Sequence, residues 1–432
     1  MTDVELADAA WALLRENDVG GFIKPASHQY PHQWNWDAAF IAIGLRHVDP
    51  ALARRELEAL LAAQWRSGMV PHIVYPMGPS DYFPTAGFWH TEGLGHGGSI
   101  PSSGLTQPPV AATAVRLLLD AAPDQATLAF ARDAFPRLLA WHRWLHTARD
   151  PEGSGLVAII HPWESGTDDS PRWAGPLAAL GDVDPPPYQR RDQRHVRADE
   201  RPSADDYARF MHLIGIYRDW GWDDATLWAR APFLVADVLF NAILLRADAD
   251  LAELARRLGR PTAEIDRWAG RGAAAFRERL WDERRGTYLD LDLRTGARPA
   301  ADTWVTFAAL FAGVADRETA ERLVRDQLMA PGRFAGERFG LPTVALDDPR
   351  FEPRRYWRGP VWINANWIVA RGLRATGFHD LARELSDDAL ELARRSGFVE
   401  YYDARDGSAC GAHGFSWSAA LVLDLLHDPE GV

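Results

Sequence analysis

A chain of 432 residues with 47% hydrophobic side chains has ample material for a large core. Its net charge of −13, with no Lys/Arg-rich segment to offset it, excludes a phosphate-backbone partner such as nucleic acid. The single Cys410 excludes an intramolecular disulfide and a cysteine-rich metal site.

The amino terminus, MTDVELADAAWALLREN, has an acidic amphipathic pattern rather than a basic region followed by an apolar run. No uninterrupted apolar window reaches about 18 residues, so no membrane association is expected and the location is read as cytoplasmic. Apolar periodicity predicts helices near 3 to 16, 36 to 47, 50 to 66, 107 to 121, 125 to 148, 204 to 220, 223 to 247 and 249 to 258. It continues near 262 to 282, 301 to 314, 316 to 329, 360 to 375, 378 to 396 and 414 to 427. Strand-like alternation is confined to short pieces such as Leu156 to Ile160 and Thr287 to Leu293. With no Gly/Ser run or charge block to act as a linker, residues 1–432 read as one large all-α domain with long loops near 78–106 and 166–203. Oligomeric state is left open, a homo-oligomer included.

Nineteen tryptophans, many beside Gly, Pro, Asp or His, suit a cleft that stacks on sugar rings, although each taken singly is as well explained by the core. In YPHQWNWDAAF, Tyr30 to Phe40, aromatic rings and the carboxylate of Asp37 gather at a helix N-terminus; a cap beside a core tryptophan is the plainer alternative. The run GLGHGG, Gly93 to Gly98, formally satisfies G-x-G-x-x-G but has no strand before it and no helix after it. Tyr82 to Gly104 is instead a glycine-hinged loop long enough to suggest a lid, and Gln107 with Pro108 starts the next helix. His142 and His146 stand at i, i+4 without a third metal ligand at a recognisable spacing, so no metal is assigned.

HPWESGTDDSPRW, His161 to Trp173, sets adjacent aspartates among tryptophans in a loop that Gly166 and Pro171 keep from continuous helix. Local spacing favours a helix cap. A partly desolvated acid beside an aromatic wall is also what proton donation to a glycosidic oxygen needs. The proline- and arginine-rich stretch from Gly181 to Asp206 reads as an exposed loop ending in a helix capped at Ser203. From 223 to 330 only Asp302, Thr303 and Trp304 look cleft-like. RRYWRGPVWINANW then turns aromatic again around a Gly-Pro breaker, with Trp367 read as core. FVEYYDARDGSACGAHGFSWSAA places Glu400 at the opening of an aromatic turn before the last helix.

Four of these stretches, in this order, resemble the motifs of the glycosidase clan that includes trehalase and glycoside hydrolase family 63. SGTDDSPRW resembles the acid-bearing motif, Tyr-x-x-x-Trp-x-Trp-Asp the opening motif, Y-W-R-G-P-x-W a motif shared in the clan, and the Glu-aromatic turn the position of the base. The resemblance implies an (α/α)6 toroid and an inverting α-glycosidase with Asp168 as general acid and Glu400 as general base. It implies sugar contacts from Tyr30, Trp34, Trp36, Asp37, Tyr82, Gln107, Trp163, Tyr356, Trp357 and Trp362. Arg201 and Tyr207 match positions where glucosylglycerate and mannosylglycerate hydrolases place an anion-binding pair, so the expected substrate is 2-O-α-D-glucosylglycerate or its mannosyl analogue. No cofactor is implied. An α-glucosidase for glucobioses or short α-glucans is the alternative, a sugar epimerase or isomerase on an α/α toroid a more distant one, and a non-catalytic sugar-binding module the remaining class.

Overall fold

Seven of the helices here begin on a side chain that satisfies an N–H the helix cannot. Asp49, Asp124, Asp223, Asp237 and Asp316 each accept from a backbone N–H two or three residues on, Ser203 does the same, and Thr2 and Glu5 form a reciprocal capping box. The computed structural model describes residues 1–78, 80–334 and 339–428. Its α-helices in chain order are α1 (Asp3–Asn17), α2 (Asn35–Leu45), α3 (Pro50–Ala62), α4 (Ala111–Ala121), α5 (Gln125–Ala148), α6 (Ala174–Ala178), α7 (Ala204–Asp219) and α8 (Asp224–Arg230). They continue with α9 (Val238–Arg257), α10 (Ala263–Leu280), α11 (Ala308–Phe311), α12 (Arg317–Leu323), α13 (Ile363–Ala375), α14 (His379–Ser396) and α15 (Ser416–His427).

Packing order turns this list into a ring. Helices α2, α4, α9, α11, α13 and α15 touch in sequence, and α15 returns to α2. Around them α3 packs on α2, α5 on α4, α10 on α9, α14 on α13 and α1 on α15, so the chain alternates between an outer and an inner layer. This is the (α/α)6 toroid, with α12 taking the remaining outer place in the alternation. The inner layer is buried all round, as every residue of α2 shows, whereas α14 has a polar outer face.

Short antiparallel strand pairs brace the loops: β1 (Gln33–Trp34) with β2 (Ile73–Val74), β3 (Val235–Ala236) with β6 (Leu291–Asp292), β4 (Trp281–Asp282) with β5 (Thr287–Tyr288), and β7 (Val399–Tyr402) with β8 (Ala409–His413). Several expected boundaries differ. The helix expected over 223–247 is interrupted near Pro232, and α9 then runs unbroken through 248 because Asp237 caps it afresh. Helix α4 starts at Ala111 rather than Gln107, since Pro108 and Pro109 disfavour helix at the residues before them. Pro360 lies outside α13, and 301–314 holds only a 3-10 turn, Trp304–Phe307, and the one-turn α11. Leu156 to Ile160 is extended but joins a neighbour through the single bridge Ile159 to Val235.

His142 and His146 are neither metal ligands nor solvent-facing. Both are buried and share Asp248 of α9, His142 Nδ1 at 2.7 Å and His146 Nε2 at 2.9 Å, tying α5 to α9. Burial raises the Asp248 carboxyl, but His146 and His142 outweigh it and hold it below its ordinary value. A lowered carboxyl stabilises the fold above its unfolded value of 3.8, and that contribution fades as pH falls below it. Asp248→Ala should cost roughly 2–5 kcal/mol at neutral pH, because two buried ring donors lose their acceptor. It should also remove part of the acid-side loss of stability. Denaturant titrations at pH 7 and well below pH 3.8 check both, and a variant as stable as the parent at pH 7 refutes the role.

Candidate active site

One end of the ring is where inner helices α2, α4, α13 and α15 begin, and the residues at or just before those starts converge there. Trp34, Trp36 and Asp37 come with α2, Gln107 with the approach to α4, Tyr356, Trp357 and Trp362 with the approach to α13, and Phe415 and Trp417 with α15. Together with Tyr30, Tyr82, Trp163, Asp168, Arg201, Tyr207 and Glu400 they line one pocket of about 780 Å³, counting the solvent at its mouth. That is the range of small-ligand sites, and helix N-termini directed at an acid-rich pocket offset part of its negative charge. All fourteen residues singled out in the sequence line this pocket. Asp302, Thr303 and Trp304 do not: Asp302 pairs with Arg285 and Arg333, and Trp304 is core.

The loop carrying Asp168 is fixed from both sides. Glu164 is fully buried and takes two 2.8 Å bonds from Arg149, plus the Ile160 and Thr106 amides. Arg172 spans from Asp290 to the Thr167 hydroxyl, and the Thr167 carbonyl accepts from Trp173 Nε1. On the other flank Asp169 is held by Arg355 and Arg358 at 2.9 and 3.2 Å. Gly166, at φ 74°, lets the turn lie on the Trp36 indole, where an added Cβ would come within 2.5 Å of the ring. Among the described residues Asp168 is thus the carboxyl of this turn with no side-chain hydrogen bond. Burial pushes it well above the ordinary range; Arg201 pulls the other way, and neighbouring Asp169 and Glu400 add to the rise. The helix-cap alternative does not hold for it, since Ser170 stands at the start of the following 3-10 turn.

Glu400 lies on a strand, β7, not in a turn, and is 1% exposed. Its carboxylate receives Arg201 Nη2 at 2.6 Å, Arg201 Nη1 at 3.1 Å, the Tyr30 hydroxyl at 2.8 Å and the Ala412 amide at 2.8 Å. Gly411 (φ 69°) makes the last contact possible: a Cβ there would lie 2.6 Å from Glu400 Oε2. Asp37 is a third carboxyl in the same pocket. Burial pushes it well above the usual range, and Glu400 and Asp168 add to this.

Aromatic rings form the walls. Trp357 and Trp362 stack at 3.9 Å and 6°, Tyr401 continues the stack at 4.7 Å, and Trp417 stands edge-on to Trp36 at 5.3 Å. Tyr30 and Tyr82 meet Trp34 edge-on at 5.2 and 5.1 Å. Tyr356 sits at φ 34°, unusual for a bulky residue and in keeping with a position fixed by its surroundings. Trp163 and Tyr207 close another side with His72, a residue that sequence reasoning missed, as it missed Phe83, Gly166, Asp192 and Pro202 as lining residues. Phe415 and Trp417 belonged to a recognised motif without being assigned to the pocket. The Gly181 to Asp206 stretch is exposed along much of its length but ends buried, at Glu200 and Arg201. The two long loops meet there, Asp81 pairing with Arg191 and Arg194.

An aromatic pocket holding carboxyls that burial pushes well above their ordinary range beside one fixed by hydrogen bonds is equipped for acid/base chemistry on a polyhydroxylated ligand. Among the described residues no three His, Cys, Asp or Glu side chains are placed to hold a metal ion.

Comparison with known proteins gives these features a context. The family described as mannosylglycerate hydrolase MGH1-like glycoside hydrolase domain matches residues 30–418. A mannosylglycerate hydrolase of Thermus thermophilus is 46% identical over 413 residues, 95% of this chain and 98% of the relative. A glucosylglycerate hydrolase of Mycolicibacterium hassiacum is 37% identical over 441 residues, 98% of each. The crystal structure of a glycoside hydrolase family 63 mannosylglycerate hydrolase from Thermus thermophilus, in complex with Tris and D-glycerate, superposes with a TM-score of 0.91 at 45% identity, covering 97% of this chain and 99% of that one.

Proposed function

The chain belongs to the MGH1-like mannosylglycerate hydrolases of glycoside hydrolase family 63, and from that premise we propose that it hydrolyses a 2-O-α-hexosylglycerate to the hexose and glycerate with inversion at the anomeric carbon. Asp168 protonates the glycosidic oxygen as the bond breaks, and Glu400 deprotonates a water attacking from the opposite face. What supports this reading is the pairing, in one aromatic pocket, of a carboxyl that burial pushes well above its ordinary range with a second carboxylate fixed by strong donors. Trp34, Trp36, Trp357 and Trp362 offer ring faces and edges to the sugar. Asp37, which the same burial pushes well above its ordinary range, can hydrogen-bond the sugar hydroxyls. Tyr82, Gln107, Trp163 and Tyr207 would face the aglycone. Mannose is the first hexose to test, because the relatives of higher identity carry the mannosylglycerate name. A small intracellular solute as substrate goes with a cytoplasmic location and with a single domain over 1–432, both part of this proposal. No helix among the described residues is long and apolar enough to cross a membrane.

The test is a proton NMR time course with mannosylglycerate and, separately, glucosylglycerate. Release of the β-hexose before mutarotation is the expected result with at least one of them. The α-hexose appearing first would overturn inversion. No release from folded protein with either glycoside would overturn the glycerate aglycone and bring α-glucobioses forward.

A further inference from the structure

Tyr207 lines the pocket and is 4% exposed, yet among the described residues nothing hydrogen-bonds its hydroxyl. A tyrosine left free to meet a ligand is aimed by its helix and by what packs on its ring. The rings of Trp163, Tyr188 and Phe210 stand around it at 6.2, 5.4 and 6.4 Å. Over its face lies the Arg190 guanidinium, 4.1 Å from the ring centroid.

Arg190 does not itself line the pocket, but Asp192, Pro202 and Tyr207, all of which it touches, do. One edge of its guanidinium, Nε and Nη2, gives the Asp192 carboxylate two bonds of 2.8 and 2.6 Å. The adjoining edge, Nη1 and Nη2, donates to the Ser203 carbonyl at 3.2 Å and the Pro202 carbonyl at 3.0 Å. With two edges committed the plane of the group is fixed, and its face is held on Tyr207. Ser203 is shared: its carbonyl also accepts the Tyr207 amide at 3.1 Å, and its hydroxyl caps α7. Arg190 therefore grips both the ring and the start of the helix that carries it. Asp192 is anchored in turn, because its carbonyl accepts from the Gln29 side chain at 3.0 Å. The nearby Arg191, Arg194 and Arg197 are 36%, 50% and 67% exposed at their side chains, whereas Arg190 is 16% exposed.

We propose that Arg190 is a positioning residue that sets the aglycone end of the pocket by holding the Tyr207 ring and the start of α7 in place, without meeting the substrate itself. This rests on the reading above in which Tyr207 faces the glycerate. A lysine would supply the charge but neither the two-edged fork nor the flat face, so the arrangement needs arginine.

The experiment measures kcat and KM for the wild type, Arg190→Met, Arg190→Lys, Tyr207→Ala and the Arg190→Met/Tyr207→Ala double variant. Two substrates are compared: the hexosylglycerate that the wild type cleaves faster, and the corresponding α-hexosyl fluoride, which carries no glycerate. Arg190→Met should raise KM for the glycoside roughly 10-fold, while its kcat and both constants on the fluoride change by no more than about 3-fold. A general loosening of the fold would instead weaken both substrates alike. Arg190→Lys should recover only part of the loss. In the Tyr207→Ala background Arg190→Met should add less than about 2-fold, because the ring it aims is gone. A wild-type KM for the glycoside in folded Arg190→Met overturns the inference, and so do equal losses on the two substrates or an undiminished effect in the Tyr207→Ala background. If the Met variant does not fold, a wild-type KM for Arg190→Lys overturns it. Should the wild type cleave neither hexosylglycerate, the reading of the aglycone falls and takes this inference with it. Should it cleave one while the Arg190 variants match it, the inference falls alone.

Discussion

Asp168→Asn is expected to lower kcat on a hexosylglycerate by roughly 10²- to 10⁴-fold while leaving the fold intact. The amide matches the carboxyl in size, and no side chain among the described residues depends on Asp168 as an acceptor, so little is lost beyond the proton. The defect should depend on the leaving group. A glyceryl oxygen needs protonation to depart, whereas fluoride does not, so the α-hexosyl fluoride should be cleaved by the variant at close to the wild-type rate. The pH profile should change in a defined way. Burial raises Asp168 well above the usual carboxylate range, so the alkaline limb of the wild-type profile should lie above that range and the variant should lack it. Equal losses on glycoside and fluoride would mean that Asp168 is not the acid.

Glu400→Gln is expected to cost at least as much, and no leaving group should rescue it, because activation of water is needed whichever group departs. Stability must be followed in the same variants. Glu400 is the partner of a buried guanidinium, and truncation to Ala leaves Arg201 uncompensated at a cost of about 3–5 kcal/mol. Gln still offers one oxygen to the fork, so Glu400→Gln should melt above Glu400→Ala while both are inactive. Measurable hydrolysis of the fluoride by a folded Glu400→Gln variant would remove Glu400 from the role of base.

Much of this site was legible because its residues cluster in motifs at the starts of inner helices. Trp34, Asp37, Trp357 and Trp362 were placed by their resemblance to family motifs, since local spacing alone favoured core and cap, and neither α2 nor α13 begins on a side-chain cap. Helix α5 was legible to both ends, with Asp124 as cap and an unbroken apolar stripe. What escaped depends on distant pairing. The β7–β8 hairpin has strands of four and five residues, too short for alternation to register, and Glu-Tyr-Tyr reads equally well as a turn. His72 enters the pocket through an extended segment whose place is fixed by Trp163, 91 positions away in the chain (163 − 72 = 91), at 5.8 Å. The partner of Arg201 was equally hidden: the sequence places that arginine in the site, but Glu400, which it grips, stands 199 residues on.

The closing contact of the ring, α15 against α2, gives biosynthesis a part in when the activity begins. Helix α2 and the loop bearing Asp168 leave the ribosome early, but Glu400 and the helix that completes the ring come within the last tenth of the chain. Until then the emerging protein has tryptophans and the proposed acid but not the proposed base, and no wall from Phe415 and Trp417. On the proposed roles, a messenger cut short before α15 would yield polypeptide without the wall from Phe415 and Trp417 and without turnover.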